Sequence, residues 1–269
     1  MFRILFLGDI VGEPGRKAVI SRLSALKAER AIDFIIVNGE NAAGGAGLTP
    51  RIAGQLYRAG CDFLTLGDHT WDKHELIEYL KEEANIIRPA NFPEGTAGKG
   101  WAVVNVGDAL GGAHEGHKIG IVNLLGRVFM RYNVDCPFRA LQKIVAEIKK
   151  ETNIIFVDFH AETTSEKIAI GHFIDGDVTA VVGTHTHIQT ADAKILPKGT
   201  AHITDLGMTG PYDSVIGQNK EKIIERFWTG LPVRFEVAQN EAHLCGVVVQ
   251  VDLKTGLAKK ITPIQRRLA

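Results

Sequence analysis

The sequence predicts a mixed α/β fold, and three observations predict it. Five short apolar runs, rich in β-branched residues and closed by glycine or a polar residue, read as strands buried on both faces. Amphipathic stretches alternate with them, their apolar residues three and four apart, as in helices packed on a sheet. Toward the C-terminus the pattern changes to longer runs separated by turn residues, the mark of antiparallel strands.

Along the chain, Arg3-Ile4-Leu5-Phe6-Leu7-Gly8 is the first strand. Asp9 breaks this apolar run too early for a signal peptide, and no cleavage site follows. A glycine-rich turn at residues 12–15 leads into a helix over residues 16–30, with Val19, Leu23 and Leu26 on one face. The second strand is Phe34-Ile35-Ile36-Val37-Asn38-Gly39. Thr49-Pro50 supplies a cap and a proline at the first helical position, and Gly60 ends that helix. Phe63-Leu64-Thr65-Leu66-Gly67 is the third strand, followed by a charged helix over residues 72–83 with Leu76 and Leu80 inward. Residues 100–106 and 117–124 pair as antiparallel strands across a glycine-rich connection. A helix over residues 137–150 carries Leu141, Ile144, Val145 and Ile148 on its inner stripe. The run 154–159 is a strand, and Thr163-Thr164-Ser165-Glu166 matches a capping box opening the next helix. Ala180-Val181-Val182-Gly183-Thr184 is another strand. Residues 234–238, 243–253 and 257–263 read as a meander, with Lys254-Thr255-Gly256 as one turn.

The 269 residues are 45% apolar with a formal net charge of zero. No linker, charge block or low-complexity stretch divides them, so residues 1–269 are expected to form a single domain. Balanced charge gives no global footprint for nucleic acid or an anionic membrane. Cys61, Cys136 and Cys245 are widely spaced without a CxxC motif, which fits reduced thiols and a cytoplasmic location. No run approaches the roughly 20 apolar residues of a membrane span.

The five buried runs share a second property: each leads into a residue able to bind a metal. They lead into Asp9, into Glu40 and Asn41, into Asp68 and His69, into His160, and into His185 and His187. The carboxyl ends of strands in an open α/β sheet are where ligands bind, so one sheet would gather these residues at one edge. With His69 set beside them, the seven remaining donors suit two ions better than one, and a carboxylate such as Glu40 can bridge a pair. The mixture of imidazole and oxygen suits Mn, Fe or Zn and argues against a thiolate site.

At these residues the chain resembles the calcineurin-type metallophosphoesterases, and more closely their bacterial YmdB-type branch. The matching segments are residues 7–12, 38–43, 69–73, 88–96, 158–162, 183–187 and 207–213. The resemblance implies a four-layer α-β-β-α sandwich of two mixed sheets. It also implies a phosphodiesterase acting on 2′,3′-cyclic nucleotides through a hydroxide activated by a dinuclear metal centre. Iron is typical of that branch, and manganese can serve. By position, Asp9, Asn41 and His187 would hold one ion and Asp68, His160 and His185 the other, with Glu40 bridging and His69 as proton donor. A homo-oligomer and a target that is either a small cyclic nucleotide or an RNA end also follow from the resemblance.

Three positions depart from the wider pattern. Val11 stands where the superfamily has a histidine, and Glu40 stands for the usual second aspartate, as expected of this branch. Asp68 stands where the branch has asparagine. With two divalent ions, one hydroxide, Asp9, Glu40 and Asp68, the formal charge totals zero, against plus one with asparagine. Asp68→Asn is therefore expected to raise catalytic efficiency. The competing readings are a phosphomonoesterase or nuclease on the same scaffold, and a nucleotide- or RNA-binding regulatory module of low turnover.

Overall fold

The computed structural model describes residues 2–106 and 116–267. Most of the glycine-rich connection before residue 117 lies outside the described residues. Two mixed sheets form the frame. In the first, β1 (Phe2–Leu7), β2 (Phe34–Asn38), β3 (Phe63–Thr65) and β4 (Ile86–Ile87) run parallel. β12 (Ala242–Val251) lies antiparallel beside β1 and also pairs with β13 (Ala258–Arg267) and β11 (Gly210–Pro211). In the second, β5 (Trp101–Asn105) is antiparallel to β6 (Lys118–Leu125). β6, β7 (Ile155–His160), β8 (Ala180–Thr184) and β10 (Ala201–Ile203) are parallel, and β9 (Lys194–Ile195) closes the edge antiparallel.

Strand periodicity explains how the layers stack. In β1, Phe2, Ile4 and Phe6 enter a core shared with Ile119, Ile121, Phe156 and Val182 of the second sheet. The alternate residues Leu5 and Leu7 face the helices α1 (Gly12–Arg30), α2 (Pro50–Arg58) and α3 (Glu75–Glu82), through Val19, Leu23, Leu56 and Leu76. On the second sheet, Val122, Leu124 and Val157 pack against α4 (Pro137–Ile148) and α5 (Thr164–Phe173). The order is helix, sheet, sheet, helix. Phe2, Phe6, Phe63 and Phe156 are fully buried, each contributing about 1.5–3 kcal/mol of hydrophobic transfer. Thr49 caps α2 by accepting from the Ile52 amide, as its sequence predicts.

The structure corrects several expectations. The five donor-bearing strands belong to two sheets, three in the first and two in the second, so the site forms where both sheets end. α1 starts at Gly12, four residues early. Its glycines serve close packing: a Cβ on Gly15 would lie 2.2 Å from the Thr209 carbonyl oxygen. α3 starts at Glu75 because residues 69–72 are held in the site described below. The capping box at α5 does not form. Thr163 Oγ1 has no partner, and Glu166 turns away to accept from the Arg127 and Val128 amides. Residues 234–238 are not a strand; Val237 makes only an isolated bridge to Gln218. Both edges of β12 are already taken by β1, β11 and β13, so no ladder remains for that segment. A sixth helix, α6 (Lys220–Thr229), was not anticipated, although Asn219 caps it and Gly230 ends it in the left-handed conformation.

Candidate metal centre

Strand ends from both sheets meet at a buried cluster. Glu40, Asp68, His160 and His185 each offer one ligand atom, and these atoms lie within 4.8 Å of one another. His160 Nε2 is 3.0 Å from Asp68 Oδ1, 3.1 Å from Glu40 Oε1 and 3.0 Å from His185 Nδ1. Asn41 Nδ2 links Glu40 Oε1 at 3.0 Å to His187 Nε2 at 3.1 Å. Asp9 Oδ2 accepts from the His185 amide at 3.2 Å. The other oxygen of Asp9, and Asn41 Oδ1, are buried without a hydrogen-bond partner. Gly67 makes this convergence possible: a Cβ there would stand 2.1 Å from Glu40 Oε2 and 2.6 Å from the His160 ring.

The surroundings fix how the imidazoles face. Thr184 donates to Asp158 Oδ1 at 2.7 Å, so its oxygen accepts from His160 Nδ1 at 2.9 Å. In the neutral ring the lone pair is then on Nε2, pointing into the cluster. His187 Nδ1 donates to the Ile216 carbonyl at 2.8 Å, which leaves Nε2 inward. His185 Nε2 faces Glu162 at 3.1 Å, which leaves Nδ1 inward. Two imidazoles and two buried carboxylates thus meet within 4.8 Å, with His187, Asn41 and the unpartnered Asp9 and Asn41 oxygens beside them, where buried anions need cations. This donor set fits divalent ions of the Mn, Fe or Zn kind.

Electrostatics point the same way. Burial works to raise the pKa of Asp68, yet hydrogen bonds and charge from His160 and His185 hold it well below the usual carboxylate range. Burial disfavours a charged His160, but Glu40 and Asp68 hold its pKa well above the ordinary value. The cluster thus takes a proton where a cation would sit, so metal uptake should release one. Behind it, fully buried Asp158 is pushed up to about 6 by burial, against His160, Thr65 and Thr184. It accepts from Asn38 at 3.0 Å and Thr65 at 2.5 Å, tying the two sheets together.

His69 stands at the edge of the cluster. Its amide donates to Glu40 Oε2 at 3.1 Å, and its Nδ1 donates to Asp72 Oδ2 at 2.7 Å, turning Nε2 outward. Arg131 reaches Asp72 Oδ1 at 2.6 Å and also donates to the Asp68 carbonyl. Partial burial opposes the charge on Asp72, but hydrogen bonds from Arg131 and His69 keep its pKa below the ordinary value. Arg131 Nε lies 3.7 Å from Asp68 Oδ2, a positive charge beside the unexpected carboxylate.

The His185-Thr186-His187 turn is held from below. His185 and His187 have φ of 102° and 65°, left-handed backbone that costs a non-glycine residue about 1–3 kcal/mol. Asp205 accepts from the Thr186 amide at 3.1 Å and its hydroxyl at 2.7 Å, and pairs with Lys167 at 2.7 Å. Lys167 is 1% exposed and Asp205 0%, so this is a fully buried ion pair.

All eight sequence-predicted residues lie at this one place. Glu40, Asp68, His160 and His185 form its tight centre, with Asp9, Asn41 and His187 bonded around it and His69 beside it. Val11, where the wider pattern has histidine, is 1% exposed and packs as core. Sequence reasoning missed Asp158, Asp72, Arg131, Lys167 and Asp205. Asp158 had a usable signal, an aspartate inside an apolar strand; Lys167 and Asp205 had none. A cleft of about 720 Å³ opens over Glu40, Asn41, His69, His185 and His187.

The family model described as YmdB-like protein matches residues 5–264. The chain is 51% identical over 262 residues to the 2′,3′-cyclic-nucleotide 2′-phosphodiesterase of Bacillus subtilis strain 168, covering 97% of this chain and 96% of that protein. It superposes with a TM-score of 0.90 on a hypothetical protein from Thermus thermophilus, at 41% identity and covering 99% of each chain. A novel phosphatase from Mycoplasma pneumoniae superposes with a TM-score of 0.90 at 37% identity, covering 99% of this chain and 93% of that one.

Proposed function

Since the chain belongs to the YmdB-like family, we propose that it is a metal-dependent phosphodiesterase that opens 2′,3′-cyclic nucleotides by hydrolysis. The observation that carries this reading is the meeting of Glu40, Asp68, His160 and His185 within 4.8 Å, with Glu40 and His185 lining an open cleft. Asp9, Asn41 and His187 would hold one ion, Asp68, His160 and His185 a second, and Glu40 would lie between them. Two divalent ions, when bound, neutralise the phosphate and acidify a water for attack on phosphorus.

The protein's own residues supply the rest. His69, with its Nδ1–H held by Asp72, acts as the imidazolium and gives its outward Nε2 proton to the departing ribose oxygen; such acid catalysis is typically worth ~10²–10⁴-fold. The name of the Bacillus subtilis relative supports the 2′ ester bond as the one broken. Iron or manganese is the expected metal, with zinc also compatible with the donors. The substrate is a free 2′,3′-cyclic nucleotide or an RNA end carrying the same cyclic phosphate. The family resemblance further suggests a homo-oligomer working in the cytoplasm; among the described residues no helix is long and apolar enough to cross a membrane.

The purified protein should convert 2′,3′-cyclic AMP to a monophosphate, with about two metal ions per chain by elemental analysis. A chelator should remove both metal and activity. Turnover of monophosphates or linear dinucleotides in preference to cyclic ones would overturn the substrate assignment.

A further inference from the structure

The same cleft has a second wall that the hydrolytic chemistry does not use. Besides the metal donors it is lined by Ile216, whose carbonyl holds His187, and by Ile223, Arg226, Phe227 and Phe235. Ile223 anchors α6 at 6% exposure, and Phe227, one turn later on the same stripe, is 82% exposed. The chain returns past Gly230 to place Phe235 beside the helix, with the Arg226 guanidinium 4.9 Å from the Phe235 ring centroid. Phe235 remains 54% exposed. Two aromatic rings and a planar cation thus stay open to solvent in a cavity whose floor is the hydrolytic centre.

A 2′,3′-cyclic nucleotide has two chemically distinct ends, a cyclic phosphate and a flat base. With the phosphate at the donor cluster, the base must lie along the cleft. We infer that Phe235, Phe227 and Arg226 form a stacking platform for the base of the substrate, favouring purines because they offer the larger ring face. This inference rests on the phosphodiesterase reading above. Stacking on aromatic side chains is sequence-tolerant, so the platform sets affinity for base-bearing substrates while the centre sets the reaction. Ile224 and Trp228, also exposed, are absent from the lining of the cleft.

The test compares metal-loaded full-length protein on 2′,3′-cyclic AMP and on methyl riboside 2′,3′-cyclic phosphate, which has the same reacting group and no base. Phe235→Ala should raise KM for cyclic AMP about 5- to 100-fold, with kcat little changed and the base-free substrate unaffected. Phe235→Trp should restore the KM, and Trp228→Ala should leave it alone. Equal changes on both substrates, or none on either, overturn the platform. So does sedimentation showing that the variants dissociate an oligomer, which would make this wall a contact between copies. A wild type that turns over neither substrate sinks the phosphodiesterase reading instead. The platform is then judged by calorimetry with adenosine 3′-monophosphate, where Phe235→Ala must weaken binding by the same factor or the platform falls.

Discussion

Replacing Lys167 by methionine tests whether the buried Lys167–Asp205 pair braces the His185-Thr186-His187 turn. The substitution keeps the length and apolar stem of the side chain, which lies 1% exposed in α5, but removes its charge. Asp205 is left buried with its amide and hydroxyl donors from Thr186 and the Gly207 amide at 2.8 Å. Breaking one side of a buried pair costs about 3–5 kcal/mol, and the three remaining donors put this case near 3. For a chain of this length that corresponds to a fall of about 6–12 °C in Tm. The brace also predicts a second effect. With left-handed backbone at both His185 and His187, a loosened Asp205 lets the turn relax and misplaces two inward nitrogens. Manganese affinity, measured calorimetrically below the melting range, should drop about 10- to 100-fold, the usual penalty for losing a residue that supports a metal ligand. Asp205→Asn, which keeps one acceptor oxygen, should fall between wild type and Lys167→Met in metal affinity. A Tm within about 2 °C of wild type, together with unchanged manganese affinity, would refute the reasoning. A lower Tm with full affinity would leave the pair as a structural ion pair only.

Other substitutions probe the centre itself. His69→Ala should retain both metals by elemental analysis while losing ~10²–10⁴-fold in kcat; retained turnover would remove His69 from the proton-donor role. Gly67→Ala should abolish metal retention, because the added methyl would occupy the space between Glu40 and His160. Metal content near wild type in that variant would mean the two sheets yield more easily than their packing indicates. Asp68→Asn should raise kcat/KM under matched metal loading. The charge of Arg131, 3.7 Å from the carboxylate and largely solvated, already offsets part of the deficit. The gain should therefore be modest, about fivefold, the scale of one solvent-screened charge interaction at that distance. An unchanged or lower efficiency would show that the carboxylate is needed for more than its charge.

How much of this was legible depended on whether a residue's role was local. The strand runs at Phe34, Phe63 and Ile154 were readable because burial on both faces leaves a continuous apolar stretch. The donors were readable because each follows such a run. The partition of those runs between two sheets was not, since nothing in a strand states which neighbour it will pair with; only the resemblance supplied the layers. Residues 234–238 alternate like a strand but found no free edge, a fact fixed by β12 and β13 far along the chain. The Glu166 carboxylate was diverted from its capping box by unpaired amides at Arg127 and Val128, partners distant in sequence. Lys167 and Asp205 meet across 38 positions and could be found only in three dimensions. The α6 helix, in contrast, has local signals of its own, a cap at Asn219 and a stop at Gly230.

The division of the proposed donors between the two sheets bears on stability as well as on chemistry. Asp9, Glu40, Asn41 and Asp68 follow strands of one sheet, and His160, His185 and His187 those of the other. On the proposed ligand set, an ion gripped from both sides would act as a rivet across the seam. At a hundred times its dissociation constant, such a ligand adds about 2.7 kcal/mol to stability. Cells starved of transition metals would then hold a looser, more protease-sensitive form, so metal supply would govern this protein's lifetime as well as its turnover.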